Sequence, residues 1–291
     1  MKTNLFLAAA LASATLVFPG HSLVAEESLP AATKRIFDDH KDSVVWVSAV
    51  VKINFVSGDT NTPVNIPEQE RKMQALATLI GAKGLAVAAL SAIDPSKELS
   101  GREFRTPNGP VKVNVSATLK EVKLILPDGT QVPSDVVMKD ADVDLVFIMP
   151  QAYSLEAMVA TFKPIDLKNS TTGAVADDVV TVVRMDEMLD RQPGVQGGQI
   201  MAITHKSRTF LRVSGAFPGC PTFAMNGKLL GISAQLSTKD RMPITVLLPT
   251  SDVLGVVEQA RTAKPLSTAA PATMSGTTEQ TNTTDKAVEP K

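Results

Sequence analysis

The chain has 291 residues, of which 44% are hydrophobic and 20% charged, a balance typical of a globular protein with one large domain or two small ones. Its formal net charge of -1 argues against binding along a nucleic-acid backbone, which needs a basic surface. The aromatic content of 4% argues against a platform on which bases could stack.

Residues 1–25 have the pattern of a secretory signal peptide. Lys2 supplies the positive charge, Leu5 to Phe18 is an apolar run too short for a comfortable membrane span, and Pro19 ends it. Ala25 is a plausible cleavage position, but Leu23 fits an A-x-A site poorly, so an uncleaved membrane anchor is the alternative. We expect an exported protein, periplasmic or extracellular, that meets a membrane only through an uncleaved signal segment.

The first half of the mature chain alternates between apolar and polar residues in many short runs, which predicts strands. Residues 57–67 and 91–110 carry Gly, Pro, Asn and charges and are predicted to be loops. The predicted elements are a helix over 32–40, strands over 43–55, 75–80, 85–89, 131–138 and 144–149, and two strands within 111–126.

The second half follows after a connector between about 150 and 168. Residues 192–198 are predicted to be a flexible loop, and Asp186, Glu187, Asp190 and Arg191 form a charge cluster that we expect to be solvated. The predicted elements are strands over 177–185, 199–205, 209–213, 229–236 and 244–248, and a helix over 250–261 capped by Thr250 or Ser251.

Short strands at near-even spacing indicate an all-β sandwich or barrel. We expect one domain over residues 26–262, divided near 150–168 into two similar halves. Residues 263–291 are rich in Thr, Ala and Pro and hold almost no large apolar residue, so this tail is expected to be disordered and dispensable for folding.

The most informative stretch is Gly215–Ile232. It contains a glycine-bearing loop, then Pro221, an Asn226-Gly227 turn typical of hairpins, and an apolar strand ending in Gly231-Ile232. This order resembles the nucleophile loop of trypsin-like serine peptidases of the Deg/HtrA type, G-N-S-G-G-P-L. Three further segments resemble that family in the same order along the chain. They are Thr78–Ile93, Leu126–Val137 with Asp142–Ile148, and Ile244–Gln259.

The resemblance covers roughly residues 32–260 and implies a trypsin-like fold, two six-stranded-type antiparallel β-barrels with a C-terminal helix. The family's histidine position falls on Ser91, its aspartate position on Asp144 and its serine position on Pro218. The family mechanism needs a nucleophile and a base, and only the orienting carboxylate remains. Proline also lacks the N–H that the oxyanion hole uses. We therefore expect no peptidase activity and a degenerate member of the family.

Other interpretations stay open. Cys220, the only cysteine, could be a displaced nucleophile with His205 as its base, although a free cysteine is usually a small buried hydrophobe. Asp144 could be a relic of catalysis or a carboxylate held by backbone N–H groups. No His/Cys/Asp cluster has metal spacing, so we expect neither a metal nor a cofactor.

The expected function is therefore binding or regulation in the cell envelope, with a protein or peptide partner and no nucleic acid; a structural envelope protein is the alternative. The resemblance implies that a peptide would pair with the strand after the nucleophile loop. The competing expectation is that Phe217 or Phe223 closes the vacated cleft. Deg-type enzymes are commonly trimers, so a homo-oligomer is conceivable, whereas their PDZ module is absent from this sequence. The predicted peptide-binding residues are Leu230, Gly231, Ile232, Ser233, Ala234 and Gln235.

Overall fold

The computed structural model describes residues 28–60, 64, 66–107, 109–205, 208–238 and 241–266. The predicted signal peptide and residues 267–291 of the predicted tail lie outside this part of the chain. The helices within it are α1 (Leu29–His40), α2 (Ser96–Leu99), α3 (Leu155–Val159) and α4 (Thr250–Thr262). Its strands are β1 (Val44–Ser57), β2 (Gln69–Leu79), β3 (Ala86–Ala89), β4 (Glu103–Thr106), β5 (Gly109–Ile125), β6 (Gln131–Asp140), β7 (Leu145–Pro150), β8 (Asp178–Arg184), β9 (Pro193–Thr204), β10 (Phe210–Val213), β11 (Pro221–Ala224), β12 (Leu229–Thr238) and β13 (Arg241–Pro249).

The strands form two antiparallel barrels, one in each half of the chain. In the first, the order β1-β2-β3-β7-β6-β5 is closed by pairing of β1 with β5, and the short β4 extends the sheet from β5. In the second, the closed order is β10-β13-β12-β11-β8-β9. With α4 after the second barrel, this confirms the predicted all-β architecture of two six-stranded antiparallel barrels followed by a helix.

Several local predictions were wrong. Residues 91–110 are not simply a loop, because they contain α2 and β4. Residues 111–125 lie in one long strand, β5, rather than two. The register of its pairing with β1 shifts between Val50 and Val51, as at a β-bulge. Residues 192–198 are mostly the start of β9, and α4 is preceded by Pro249 without a side-chain cap.

Alternation along the strands where the two barrels meet divides their side chains between two cores. In β3, Ala86 and Ala88 point into the first barrel while Val87 joins a cluster that lies between the barrels; in β7, Val146 and Phe147 divide in the same way. This inter-barrel cluster also takes side chains from α1, α4, β8, β11 and β12. The two barrels are therefore packed together by a continuous apolar core.

Polar contacts also join the two barrels along their line of contact, which we call the inter-barrel seam. The buried guanidinium of Arg184, on β8, donates to the carbonyls of Lys41 and Val44 at the start of the first barrel, each at 2.7 Å. The indole Nε1 of Trp46, on β1, donates to the carbonyl of Met185 at 2.7 Å.

Helix α1 belongs by sequence to the first half but packs on the second barrel. The ring of His40 stacks on Phe223 with centroids 4.3 Å apart, and Arg35 Nη2 donates to the carbonyl of Met225 at 3.0 Å. The side chain of Ile36 is fully buried in the inter-barrel cluster. The N-terminal helix thus completes a surface that is made by residues near the opposite end of the chain.

Candidate functional site

Asp144, the predicted aspartate position, lies in the turn between β6 and β7. Its backbone φ is 57°, in the left-handed region, which aspartate adopts more readily than most residues. Its carbonyl accepts the N–H of Leu90 at 2.9 Å, and the residue is only 8% exposed. The turn therefore holds a carboxylate in a buried position close to the inter-barrel seam.

Three hydrogen bonds converge on this carboxylate. Oδ1 accepts the backbone N–H of Ser91 at 2.7 Å, and Oδ2 accepts the hydroxyl of Ser91 at 3.0 Å. Oδ2 also accepts the backbone N–H of Gln235, on β12 of the second barrel, at 2.8 Å. Asp144 therefore links the two barrels, as expected for a carboxylate held by backbone N–H groups.

Burial raises the pKa of the Asp144 carboxyl above its ordinary value. The hydrogen bonds from Ser91 and Gln235 and the positive charge of Lys97 act in the opposite direction, but they offset only part of the effect. A buried charge is costly unless it is paired or well hydrogen-bonded, so the net shift means that desolvation outweighs these partners.

Ser91, the predicted histidine position, lies directly against Asp144. Its Oγ is 3.0 Å from Asp144 Oδ2 and 3.1 Å from Gln235 Oε1. A hydroxyl has a single proton, so it donates to only one of these acceptors at a time. A serine at this position can share a proton within the cluster, but unlike a histidine it cannot accept one at neutral pH and pass it on.

Pro218, the predicted serine position, lies in the tight loop between β10 and β11. Gly215 and Gly219 on either side of it both have positive φ. A Cβ on Gly219 would lie 2.0 Å from the carbonyl oxygen of Leu76, so the loop needs glycine there to approach the first barrel. The carbonyl of Gly219 accepts the hydroxyl of Thr78 at 2.7 Å. The loop shape is therefore well defined, with no N–H available at Pro218.

The predicted peptide-binding segment, residues 230–235, lies within β12, which pairs with β11 on one side and β13 on the other. The carbonyl of Ser233 accepts the N–H of Gly219 at 2.7 Å, and the N–H of Ser233 donates to the backbone carbonyl of Cys220 at 2.9 Å. On that same edge, Asp144 takes the N–H of Gln235. A peptide pairing here would have to displace the carboxylate. Buried members of the segment are Leu230, Gly231, Ile232, Ser233 and Ala234.

Neither phenylalanine named as a possible plug is positioned as one. Phe217 is 42% exposed, whereas Phe223 is buried in the inter-barrel cluster and stacks on His40. Phe217 therefore does not fill the cleft, and the ring of Phe223 is engaged with α1 through His40.

Cys220 and His205 do not form a catalytic pair. Cys220 is fully buried in the inter-barrel cluster, and burial raises the pKa of its thiol well above the ordinary value, so the reactive thiolate is disfavoured. His205 is exposed after β9, where its Nδ1 lies 3.3 Å from the hydroxyl of Thr209. The cysteine is a core side chain.

Within the described residues, no three His, Cys, Asp or Glu side chains are grouped closely enough to hold a metal ion. In that same part of the chain, no helix combines the length and apolar character that a membrane span requires.

Sequence reasoning singled out Ser91 and Asp144 as parts of one site, but it did not predict that the backbone N–H of Gln235 donates to the Asp144 carboxylate. Residues 91, 144 and 235 are far apart in sequence, and no local pattern marks a backbone N–H as the partner of a distant carboxylate. It likewise missed Arg184 and Trp46, whose polar groups bond across the seam.

No protein-family model matches the sequence, and no curated protein matches it significantly. Among solved structures, the chain is similar to the MamO protease domain from Magnetospirillum magneticum in its apo form. The identity is 16%, the match covers 76% of this chain and 98% of that one, and the TM-score is 0.44. A likeness of this size carries no information about activity, and the two-barrel fold follows from the strand pairing.

Proposed function

We propose that this chain is a catalytically inactive, trypsin-like protein that binds a protein or peptide in the cell envelope. The observation that carries the proposal is the Asp144 cluster. Its carboxylate is occupied by Ser91 and Gln235, so it orients no base, and the nucleophile position is Pro218. The envelope assignment rests on the signal-peptide pattern of residues 1–25.

Peptide binding at β12 remains part of the proposal, but the hydrogen bond between Asp144 and Gln235 means that a peptide must compete for this strand. The N–H of Gln235 is the group an added strand would need, and Asp144 holds it. β-augmentation gains its affinity from main-chain hydrogen bonds, so a peptide that offers a carbonyl to Gln235 competes directly with the carboxylate. We expect weak binding by the native chain and tighter binding once that carboxylate is removed.

The first test is catalytic. Purified mature protein is incubated with casein, with a fluorogenic peptide library and with a fluorophosphonate probe, beside Ser91→Ala and Cys220→Ala variants. No turnover and no labelling are expected. Turnover lost in Ser91→Ala would instead make the Ser91–Asp144 pair a hydrolytic site, and turnover lost in Cys220→Ala would restore the cysteine alternative.

The second test concerns binding. A peptide-display selection against the mature protein is followed by hydrogen exchange with and without the selected peptide. Protection at residues 230–235 and in the facing loop supports the groove. An empty selection from a large library would favour the structural envelope protein.

A further inference from the structure

The loop between β8 and β9 presents two large apolar side chains to solvent. Met188 is 91% exposed and Leu189 is 58% exposed, and they are adjacent at the tip of the loop. Isolated exposed apolar residues are common, but two neighbours that project from a loop form an anchor that a partner can bury.

The tip is held rigidly by its own backbone. At the base of the loop, which we call its neck, the N–H of Met185 donates to the backbone carbonyl of Gln192 at 2.8 Å. Inside the loop, the N–H of Leu189 and the N–H of Arg191 both donate to the carbonyl of Asp186, at 3.2 and 2.9 Å. A loop that is already ordered loses little conformational freedom on binding, so more of the contact energy appears as affinity.

The neck of the loop is also fastened to the rest of the molecule. Arg184 Nη1 donates to the carbonyl of Arg191 at 2.8 Å, and Trp46 of the first barrel donates to the carbonyl of Met185. Both barrels therefore fix the direction in which the loop projects.

Two consecutive residues of the loop, Asp190 and Arg191, have left-handed backbones with φ of 52° and 50°. Such a conformation is uncommon outside glycine and persists only where the surroundings impose it. The surroundings therefore hold this part of the loop in a defined backbone conformation.

Charge around the tip indicates what kind of surface fits it. Asp186, Glu187 and Asp190 are exposed beside the apolar pair, and the only cation of the loop, Arg191, is paired with Glu187 at 3.0 Å. Two carboxylates therefore remain without a compensating cation from the loop. A surface with Lys or Arg around an apolar depression is complementary to this arrangement.

We propose that the β8–β9 tip, Met188 and Leu189 with their flanking carboxylates, docks into an apolar groove rimmed by Lys and Arg on a partner protein. This surface lies outside the Asp144 cluster and goes beyond the proposed peptide binding at β12. The two proposals can therefore fail separately.

The test uses three fluorescein-labelled synthetic peptides of equal length, composed of Lys and Leu, Glu and Leu, or Lys and Ser. Binding to the mature protein is measured by anisotropy and located by amide chemical shifts. The Lys/Leu peptide is expected to bind at least tenfold more tightly than the other two, with shifts centred on residues 186–191. Absence of this preference, or shifts centred elsewhere, would overturn the proposal.

Variants distinguish binding at the β8–β9 tip from non-specific binding to exposed apolar residues. The double change Met188→Ser and Leu189→Ser is expected to weaken binding at least tenfold, and Asp186→Asn with Asp190→Asn severalfold. Met242→Ser is the matched control, because that methionine is 87% exposed at the start of β13, away from the β8–β9 loop in sequence. Equal loss in the control contradicts the proposal, as does self-association in sedimentation that the tip variant abolishes, since the occupant would then be a second copy.

Discussion

The carboxylate of Asp144 and the backbone N–H of Gln235 join the two barrels across 2.8 Å. Asp144 stands on the first barrel and Gln235 on the second, and the same carboxylate also holds Ser91. A residue that the family resemblance associates with catalysis therefore serves here as a structural connection.

Replacing that carboxylate should cost stability. In Asp144→Asn, the amide retains the tolerance of asparagine for the left-handed backbone but presents an NH₂ group to at least one of the donors. An unsatisfied buried donor costs about 1–3 kcal/mol, so urea unfolding should show a loss of that order. Hydrogen exchange at Gln235 should accelerate as well. Asp142→Asn, on the exposed part of the same turn, is the control and should change neither measurement.

Stability should also depend on the ionisation of Asp144. Burial raises its pKa, so the folded state favours the protonated form more strongly than the unfolded state, whose pKa is about 3.8. The resulting stabilisation is complete below 3.8 and is lost as the pH rises through the folded-state pKa. The unfolding free energy of the wild type, measured relative to Asp144→Asn, should therefore increase from pH 7 to pH 4. A decrease over that range would show that hydrogen bonding outweighs desolvation.

Arg184 is expected to be among the most sensitive positions in the molecule. Its guanidinium bonds the carbonyls of Lys41, Val44 and Arg191, so Arg184→Met would leave several partly buried acceptors unpaired. We expect a loss of roughly 2–4 kcal/mol in chemical denaturation. Arg184→Lys should recover only part of it, because an ammonium cannot reproduce the planar fork. Arg105→Met, at an exposed position, should lie within about 0.5 kcal/mol of the wild type.

Cys220 should be unreactive in the folded protein. It is fully buried and its thiol pKa is raised, so Ellman's reagent at pH 8 should react at least about a hundredfold more slowly than in denaturant. A Cys220→Ala protein with Met242→Cys supplies an exposed thiol for comparison. Fast labelling of native Cys220 would contradict its place in the core.

The end of the ordered chain can be located by truncation. The N–H of Leu266 donates to the carbonyl of Val136 on β6 at 2.8 Å, and Ala263 packs against the inter-barrel cluster. A stop after Leu266 should leave the melting temperature unchanged, because residues 267–291 carry little apolar surface. A stop after Thr262 removes both contacts and should lower it by a few degrees, so residues 263–266, unlike the rest of the predicted tail, are not expected to be dispensable. Equal melting temperatures for the two truncations would show that Leu266 contributes nothing.

The strands were predictable where one face is buried, because the alternation of apolar residues then follows the pleat. In β9 the same reasoning failed. Its glycines indicated a flexible loop, yet a Cβ on Gly198 would lie 1.9 Å from the carbonyl of Ser214, and one on Gly194 would meet Met185. These glycines mark close approach of neighbouring chain segments within a barrel, a requirement that local sequence does not reveal.

The candidate site was predictable only in part. The resemblance pointed to Ser91 and Asp144, which the structure brings into contact, and to Pro218, which lies in the loop between β10 and β11. The hydrogen bond to Gln235 depends on how the second barrel seats against the first. That arrangement is determined by the whole inter-barrel cluster and by no local pattern.

The docking of α1 on the second barrel has a consequence for how the protein is made. Arg35 and its acceptor Met225 are 190 residues apart, so the helix leaves the ribosome long before its binding surface exists. At ordinary elongation speeds the interval is roughly ten to forty seconds. Throughout that interval the apolar face containing Ile36 lacks the part of its native surface that the second barrel provides. Biosynthesis thus gives a chaperone a defined period in which to recognise this helix.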